Sequence, residues 1–246
     1  MITLISPTKT MVESPLNYHQ VPVFNKESLV IFNELNQLDF NQAKKVYKTS
    51  DKIVYKSLEM INNYHPCGAA IFSFKGASFK SMNVDSWSKT DLEYANSHLI
   101  ILSSLFGLHR PFDTIAPYRL DYLSDISIDL YNYWTDYVTE YINSLQMPVI
   151  NLASKEYSNS VNFSKIDAPV INIEFKEFDG VKYTAKSTYV KSARGAFVQE
   201  IVKNKVRTVN DLKSISVHGY KFQHDLSNDS SLVYIHSTNQ LKMQKV

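Results

Sequence analysis

Between Leu102 and Tyr122 the chain reads Leu-Ser-Ser-Leu-Phe-Gly-Leu-His-Arg-Pro-Phe-Asp-Thr-Ile-Ala-Pro-Tyr-Arg-Leu-Asp-Tyr, a stretch that leaves its backbone little freedom. Gly107 opens a region of backbone space closed to other residues, while Pro111 and Pro117 fix their own φ and bias Arg110 and Ala116 toward extended geometry. The apolar run 98–102 just before it is short and β-branched enough for a buried strand. A stiff loop fed by a buried strand has to be built against other layers. It presents two guanidiniums, Arg110 and Arg119, with Asp113 between them. A planar fork of donors suits bidentate capture of phosphate or carboxylate; equally, Arg110 or Arg119 pairs with Asp113 or Asp121 and pins the loop.

The rest of the chain alternates between strand and helix patterns. A first strand covers 2–5, followed by a loop over 6–20 broken by Pro7 and Pro15. Lys9 lies there in a Ser-Pro-Thr-Lys-Thr run at a strand end, where hydroxyls, amides and an ammonium can converge on one anion, or where the lysine is merely solvated. Helices are expected over 26–38, with Leu29, Phe32 and Leu35 on its buried stripe, over 41–47, and behind Ser50, burying Ile53, Leu58 and Ile61. Asp51 suits the positive end of that last helix. The run 68–74 reads as an interior strand ending at Lys75-Gly76, and ligands gather at strand ends in open α/β sheets. Thr90 and Glu93 form a capping box for the next helix.

Beyond the stiff loop, residues 130–145 form an amphipathic helix with Tyr131, Trp134, Val138, Tyr141 and Leu145 on one stripe, which places Trp134 in the core. A buried strand over 149–152 follows Pro148, and Asn151, Ser154, Glu156 and Tyr157 cluster at its end, as a polar pocket or as caps of the next turn. Asp179-Gly180 between runs 169–178 and 181–190 is the strongest hairpin signal. A helix over 191–204, a link, and a short helix capped by Thr208 and Asp211 come next, and a final hairpin over 217–222 and 232–236 precedes an end expected to fray.

Charge is segregated more than the net +2 suggests. Residues 182–221 hold nine Lys and Arg against Glu200 and Asp211, whereas 121–140 hold five acids and no Lys or Arg. A basic block of this kind presents one face to a polyanion or stays a solvated face. Lys191, Arg194, Lys203, Lys205, Arg207 and Lys213, strung along helix, turn and helix, suit a duplex backbone.

Several chemistries lack their motifs. The six glycines are never closer than eight residues, so neither a P-loop nor a dinucleotide fingerprint can be built. No Gly-x-Ser-x-Gly elbow, His-Glu-x-x-His or Glu-x-x-His pair occurs. His65 and Cys67 have no further ligands at metal spacing, and the lone Cys67 excludes an internal disulfide. No apolar run approaches the roughly 18 residues of a membrane span, and no basic region precedes the first strand as in a signal peptide. The expectation is a cytoplasmic protein with no cofactor, no metal, no membrane and no obligate protein partner.

The blocks Gly-Leu-His-Arg-Pro-Phe-Asp and Pro-Tyr-Arg-Leu resemble the signature of the YaaA family of bacterial peroxide-stress proteins. In the same order come Ile5-Ser6-Pro7-Thr8-Lys9-Thr10, Ser50-Asp51-Lys52, Phe74-Lys75-Gly76, Leu130-Tyr131 with Tyr133-Trp134, residues 149–154 with Glu156-Tyr157, Lys191-Ser192-Ala193-Arg194-Gly195 and Gly219-Tyr220. Ser104, Ala77 and Thr135 depart from the family pattern, in place of glycine, an acid and glycine. The resemblance implies the cantaloupe fold with a basic cleft and a helix-hairpin-helix element, here 187–215 within one domain spanning 1–246. It also implies protection of DNA and proteins from hydrogen peroxide, lowered free iron and DNA binding.

The sequence therefore predicts a single mixed α/β domain. It is expected to bind duplex or branched DNA through the basic element, with Lys9, Lys75, Arg110 and Arg119 around a cleft. The alternative is an enzyme acting on a nucleobase or small phosphorylated substrate, drawn from Lys9, Lys75, Arg110, Asn151, Glu156 and Tyr157. A closed pocket with a perturbed carboxylate favours the second reading, and a long open basic cleft the first.

Overall fold

The structure is a computed structural model and describes residues 1–14, 18–185 and 187–237. It is a single mixed α/β domain around one sheet of eight strands. The strand Ile2–Ile5 lies at its centre, parallel to Leu99–Ser103 on one side and to Val149–Asn151 on the other. Val170–Phe178 runs parallel to Val149–Asn151, and Ser231–Ser237 parallel to Val170–Phe178. Short antiparallel strands, Gly107–His109 and Lys221–Phe222, close the two edges. The three central strands are buried along their whole length, which explains why they read as continuous apolar runs rather than alternating ones. Val170–Phe178, nearer an edge, alternates between buried and half-buried positions.

Strand order reverses at the centre. The chain leaves Ile2–Ile5 toward Leu99–Ser103, and leaves Val149–Asn151 in the opposite direction, toward Val170–Phe178. At such a point the loops following the two strands diverge and leave a crevice outside their carboxyl ends.

The stiff loop behaves as a tight turn against the core. Gly107 adopts φ +69°, and a Cβ there would meet the Trp134 ring at 2.7 Å. Trp134 is fully buried in the helix Leu130–Ser144 and donates its indole N–H to the Ser104 carbonyl at 2.8 Å. Serine at 104 therefore costs nothing in this contact, since its backbone makes it, and the Ser104 hydroxyl donates to the Leu120 carbonyl at 2.8 Å.

Several local expectations are corrected. The run 68–74 is not one strand: Gly68–Ala69 pairs with Thr114–Ile115, Ala70–Ser73 makes one helical turn, and Phe74–Lys75 pairs with Thr10–Met11. Ala70 and Ile71 donate their N–H groups to the carbonyls of Asp113 and Pro111, so the stiff loop supplies the partners that a sheet neighbour would have. A short apolar run does not distinguish the two outcomes. The hairpin at Asp179-Gly180 forms, with Asp179 accepting from the N–H groups of Val181 and Lys182, but its second arm is only Tyr183–Thr184 before the helix Ser187–Lys203 begins.

Two helix stripes are met in part, Leu35 and Ile61 being buried as expected. Ser28, Ile31 and Leu35 are buried in Asn25–Asn36 while Leu29 is exposed, and Val54, Ser57 and Ile61 are buried in Asp51–Asn62 while Ile53 is exposed. The capping box before Leu99–Ser103 belongs to Ser88 and Asp91, at the start of Lys89–His98, rather than to Thr90 and Glu93. The expected box of Thr208 and Asp211 caps Val209–Leu212. The expected fraying after the last strand falls on residues outside those described.

Candidate functional site

The crevice at the reversal point is a cavity of about 580 Å³. Its walls come from the loop after Ile2–Ile5 (Ser6 to Lys9), the segment after Val149–Asn151 (Leu152 to Tyr157), the start of the helix Ala77–Met82, and the cavity-facing residues Lys191 and Arg194 of Ser187–Lys203. Two loops are tied directly: Ser154 donates its N–H to the Ser6 hydroxyl at 2.8 Å, and that hydroxyl donates to Ser154 Oγ at 3.1 Å. Thr8 Oγ1 donates to the Lys75 carbonyl at 3.0 Å, holding the first loop to the end of Phe74–Lys75.

The charges in this cavity are unequal. Asp121 is ion-paired, with Lys9 Nζ 2.6 Å from its Oδ2, and it accepts a longer hydrogen bond from the Tyr157 hydroxyl at 3.4 Å. Glu156 is half-buried, and burial first, then the neighbouring Asp121 charge, push its pKa up, opposed by Lys9, the Tyr122 N–H and Lys191. Burial, with the charges of Asp121 and Glu156, likewise raises the Tyr157 phenol and keeps it protonated. Arg194 is the unusual member. It lines the cavity, and its Nε is buried with no hydrogen-bond partner among the described residues. Desolvation lowers its pKa. A buried donor without a partner is costly, and an anion beside the guanidinium offsets that cost.

Of the residues singled out in the sequence, Lys9, Glu156, Tyr157, Lys191 and Arg194 meet here. Arg119 lines a narrow adjoining crevice that shares Lys9, Asp121 and Tyr157 with the cavity, and its Nε is also buried without a partner among the described residues. Lys75 meets the site through its carbonyl, which accepts from the Thr8 hydroxyl.

The remaining candidates lie elsewhere. Arg110 takes the structural alternative: its Nε and a terminal nitrogen bond Asp113 Oδ1 at 3.0 and 2.9 Å, and its backbone N–H bonds Oδ2. Asn151 donates to Asn172 Oδ1 and borders a shallow hollow with Thr135, Asn159 and Asn172. Lys203 and Lys205 both bond the buried Asp91 carboxylate, Lys203 at 2.9 Å. That clamp ties the end of Ser187–Lys203 to Lys89–His98 and consumes two charges of the basic block. Arg207 and Lys213 are exposed. Sequence reading missed Ser78 and the role of Asp121. Ser78 carries no motif, and Asp121 could be assigned only once Lys9 was known to sit beside it.

Among the described residues, no group of three or more His, Cys, Asp and Glu is placed to hold a metal ion, and no helix is long and apolar enough to cross a membrane.

Fold and cavity together define an α/β protein with a cation-lined cavity at the switch point of a mainly parallel sheet. The family model for the peroxide stress protein YaaA matches residues 1–226, and the chain belongs to that family. Relatives agree: it is 39% identical over 174 residues to a UPF0246 protein of Francisella philomiragia subsp. philomiragia, a match covering 68% of each chain. It is 38% and 37% identical over the same length, with the same coverage, to UPF0246 proteins of Francisella tularensis subsp. novicida and subsp. tularensis.

Proposed function

We propose that this peroxide stress protein works by binding an anionic ligand in the cavity at the sheet's switch point. One observation carries the reading: Arg194 lines that space with its Nε buried and unpartnered among the described residues. Lys191 adds a second cation on the same helix face. A volume of about 580 Å³, the size of a small-molecule site, and the raised Glu156 carboxyl favour a small ligand over a polymer. Isothermal titration of inorganic phosphate and pyrophosphate tests this. Wild type is expected to bind, with affinity lost in Arg194→Gln. Equal binding by both proteins, or none by wild type, overturns it.

A second reading, duplex or branched DNA on residues 187–215, is supported by the exposed Arg207 and Lys213 beside the capped turn at Thr208. In that reading affinity falls steeply with salt, and a labelled duplex and four-way junction should lose binding to an Arg207→Glu, Lys213→Glu variant. Retained binding by that variant removes the element from the reading. Either activity suits a cytoplasmic protein, and either makes an effect on free iron indirect. Tight stoichiometric Fe(II) binding to the purified protein contradicts the indirect route.

A further inference from the structure

The cavity has two chemically different parts. Arg194 and Lys191 lie on one helix, while Pro7, Leu152 and the ring of Tyr157 offer carbon surface from the two strand-end loops. Its volume of about 580 Å³ lies inside the range of small-molecule sites, roughly 300–1,000 Å³, so a bare phosphate would leave most of it to water. Asp121 is ion-paired to Lys9, which leaves Glu156 as the acidic group in the cavity without an ion pair among the described residues.

We infer that the cavity takes a phosphate monoester of mononucleotide size, its phosphate on Arg194 and Lys191, its organic body against Pro7, Leu152 and Tyr157, and Glu156 hydrogen-bonding that body. The inference rests on the anion-cavity reading above and adds the class of ligand. A dianionic phosphate matches two cations, one of them a guanidinium able to bond it through two nitrogens. A carboxylate ion at 156 would repel that phosphate, whereas a protonated Glu156 donates to an acceptor on the body. The groups facing it are Asp121, Lys9 and Lys191, the Tyr122 N–H, and the phenols of Tyr131 and Tyr157. Burial first, then the Asp121 charge, shift it toward the protonated form, while Lys9, the Tyr122 N–H and Lys191 oppose that shift. Affinity therefore falls as pH rises through the Glu156 pKa. Glutamine at 156 donates at every pH and removes that dependence.

The test is calorimetric titration of the full chain with adenosine 5′-monophosphate, ribose 5-phosphate, inorganic phosphate and adenosine, between pH 5.5 and 8. The expected result is at least tenfold tighter binding of one or both esters than of inorganic phosphate, and none of adenosine. Loss is expected in Arg194→Gln and in Lys191→Glu; Lys191 is exposed, so this second variant folds even if the first does not. In Glu156→Gln the pH dependence that remains should be that of the phosphate itself, whose second pKa is about 6. Inorganic phosphate binding as tightly as both esters overturns the monoester while leaving the anion cavity in place. No binding of any phosphate by wild type overturns both. A pH profile unchanged in Glu156→Gln removes Glu156 from ligand contact.

Discussion

Gly195 packs against Ser78 so closely that a Cβ built on it would lie 1.8 Å from the Ser78 carbonyl oxygen. The contact joins the helices Ser187–Lys203 and Ala77–Met82 and fixes the depth at which the neighbouring Arg194 enters the cavity. Because the obstacle is backbone, no rotamer relieves it. Gly195→Ala is expected to cost about 2–3 kcal/mol by forced separation of the helices, lowering Tm by roughly 5–10 °C for a chain of this size. It should also weaken anion binding. A melting curve and a phosphate titration check both effects, and an unchanged Tm would mean that the helices do not approach so closely.

Arg194 should show opposite effects on stability and binding. Its guanidinium is desolvated, and that burial lowers its pKa, so the free protein bears the cost of a charge that only a ligand compensates. Arg194→Met keeps the length and removes the charge. Stability without ligand should be unchanged or higher by about 1 kcal/mol, as is common when apolar side chains replace buried charge, while phosphate affinity falls at least tenfold. Urea denaturation with and without phosphate separates the two. Marked destabilisation without ligand would show that Arg194 is a structural element instead.

The legible parts of this fold are those fixed by local pattern. Ile2–Ile5 and Val149–Asn151 are short β-branched runs, and burial on both faces makes such runs continuous. Nothing local says that they are neighbours, so the cavity between their ends had no sequence signature. Lys9, Glu156 and Tyr157 could be nominated because they follow strands. Which charges remain available was hidden, because charge runs do not name their partners. Arg110 is satisfied three residues away by Asp113, whereas Lys203 is satisfied by Asp91, 112 residues earlier. The basic block therefore read as uniform, although Arg194 and Lys191 face a cavity and Lys203 and Lys205 hold two helices together.

That clamp has a measurable pH signature. Lys205 and Lys203, with the Ser88 N–H and hydroxyl, hold the Asp91 carboxyl well below the usual carboxylate range. A depressed folded pKa adds stability above the unfolded value, near 3.9, which is lost as pH falls below it. The two lysines keep about a third of their side-chain surface in water, which limits the gain. Asp91→Asn is expected to cost about 2 kcal/mol at pH 7, including part of the helix cap. The difference from wild type should narrow below about pH 4. A constant difference from pH 7 to 3 would mean that the loss is packing and not charge.

His109 controls an earlier part of the acid limb. It is fully buried; its Nε2 lies 3.2 Å from the Tyr118 hydroxyl, which is itself 2.7 Å from Ser103 Oγ. Its Nδ1 has no partner among the described residues, and burial lowers its pKa to about 3. Above the unfolded value of about 6.5 the ring is neutral in both states and pH has no effect through it. Below that value the unfolded chain gains a proton that the folded chain refuses, so stability falls by up to about 1.4 kcal/mol per pH unit until the folded pKa is reached. His109→Gln removes this titration and retains a group for Tyr118. Unfolding free energies from pH 7.5 to 4 should therefore fall more steeply for wild type than for the variant, a window separate from that of Asp91. Parallel curves would show that the folded protein accepts the proton at His109, which requires a partner or water at Nδ1.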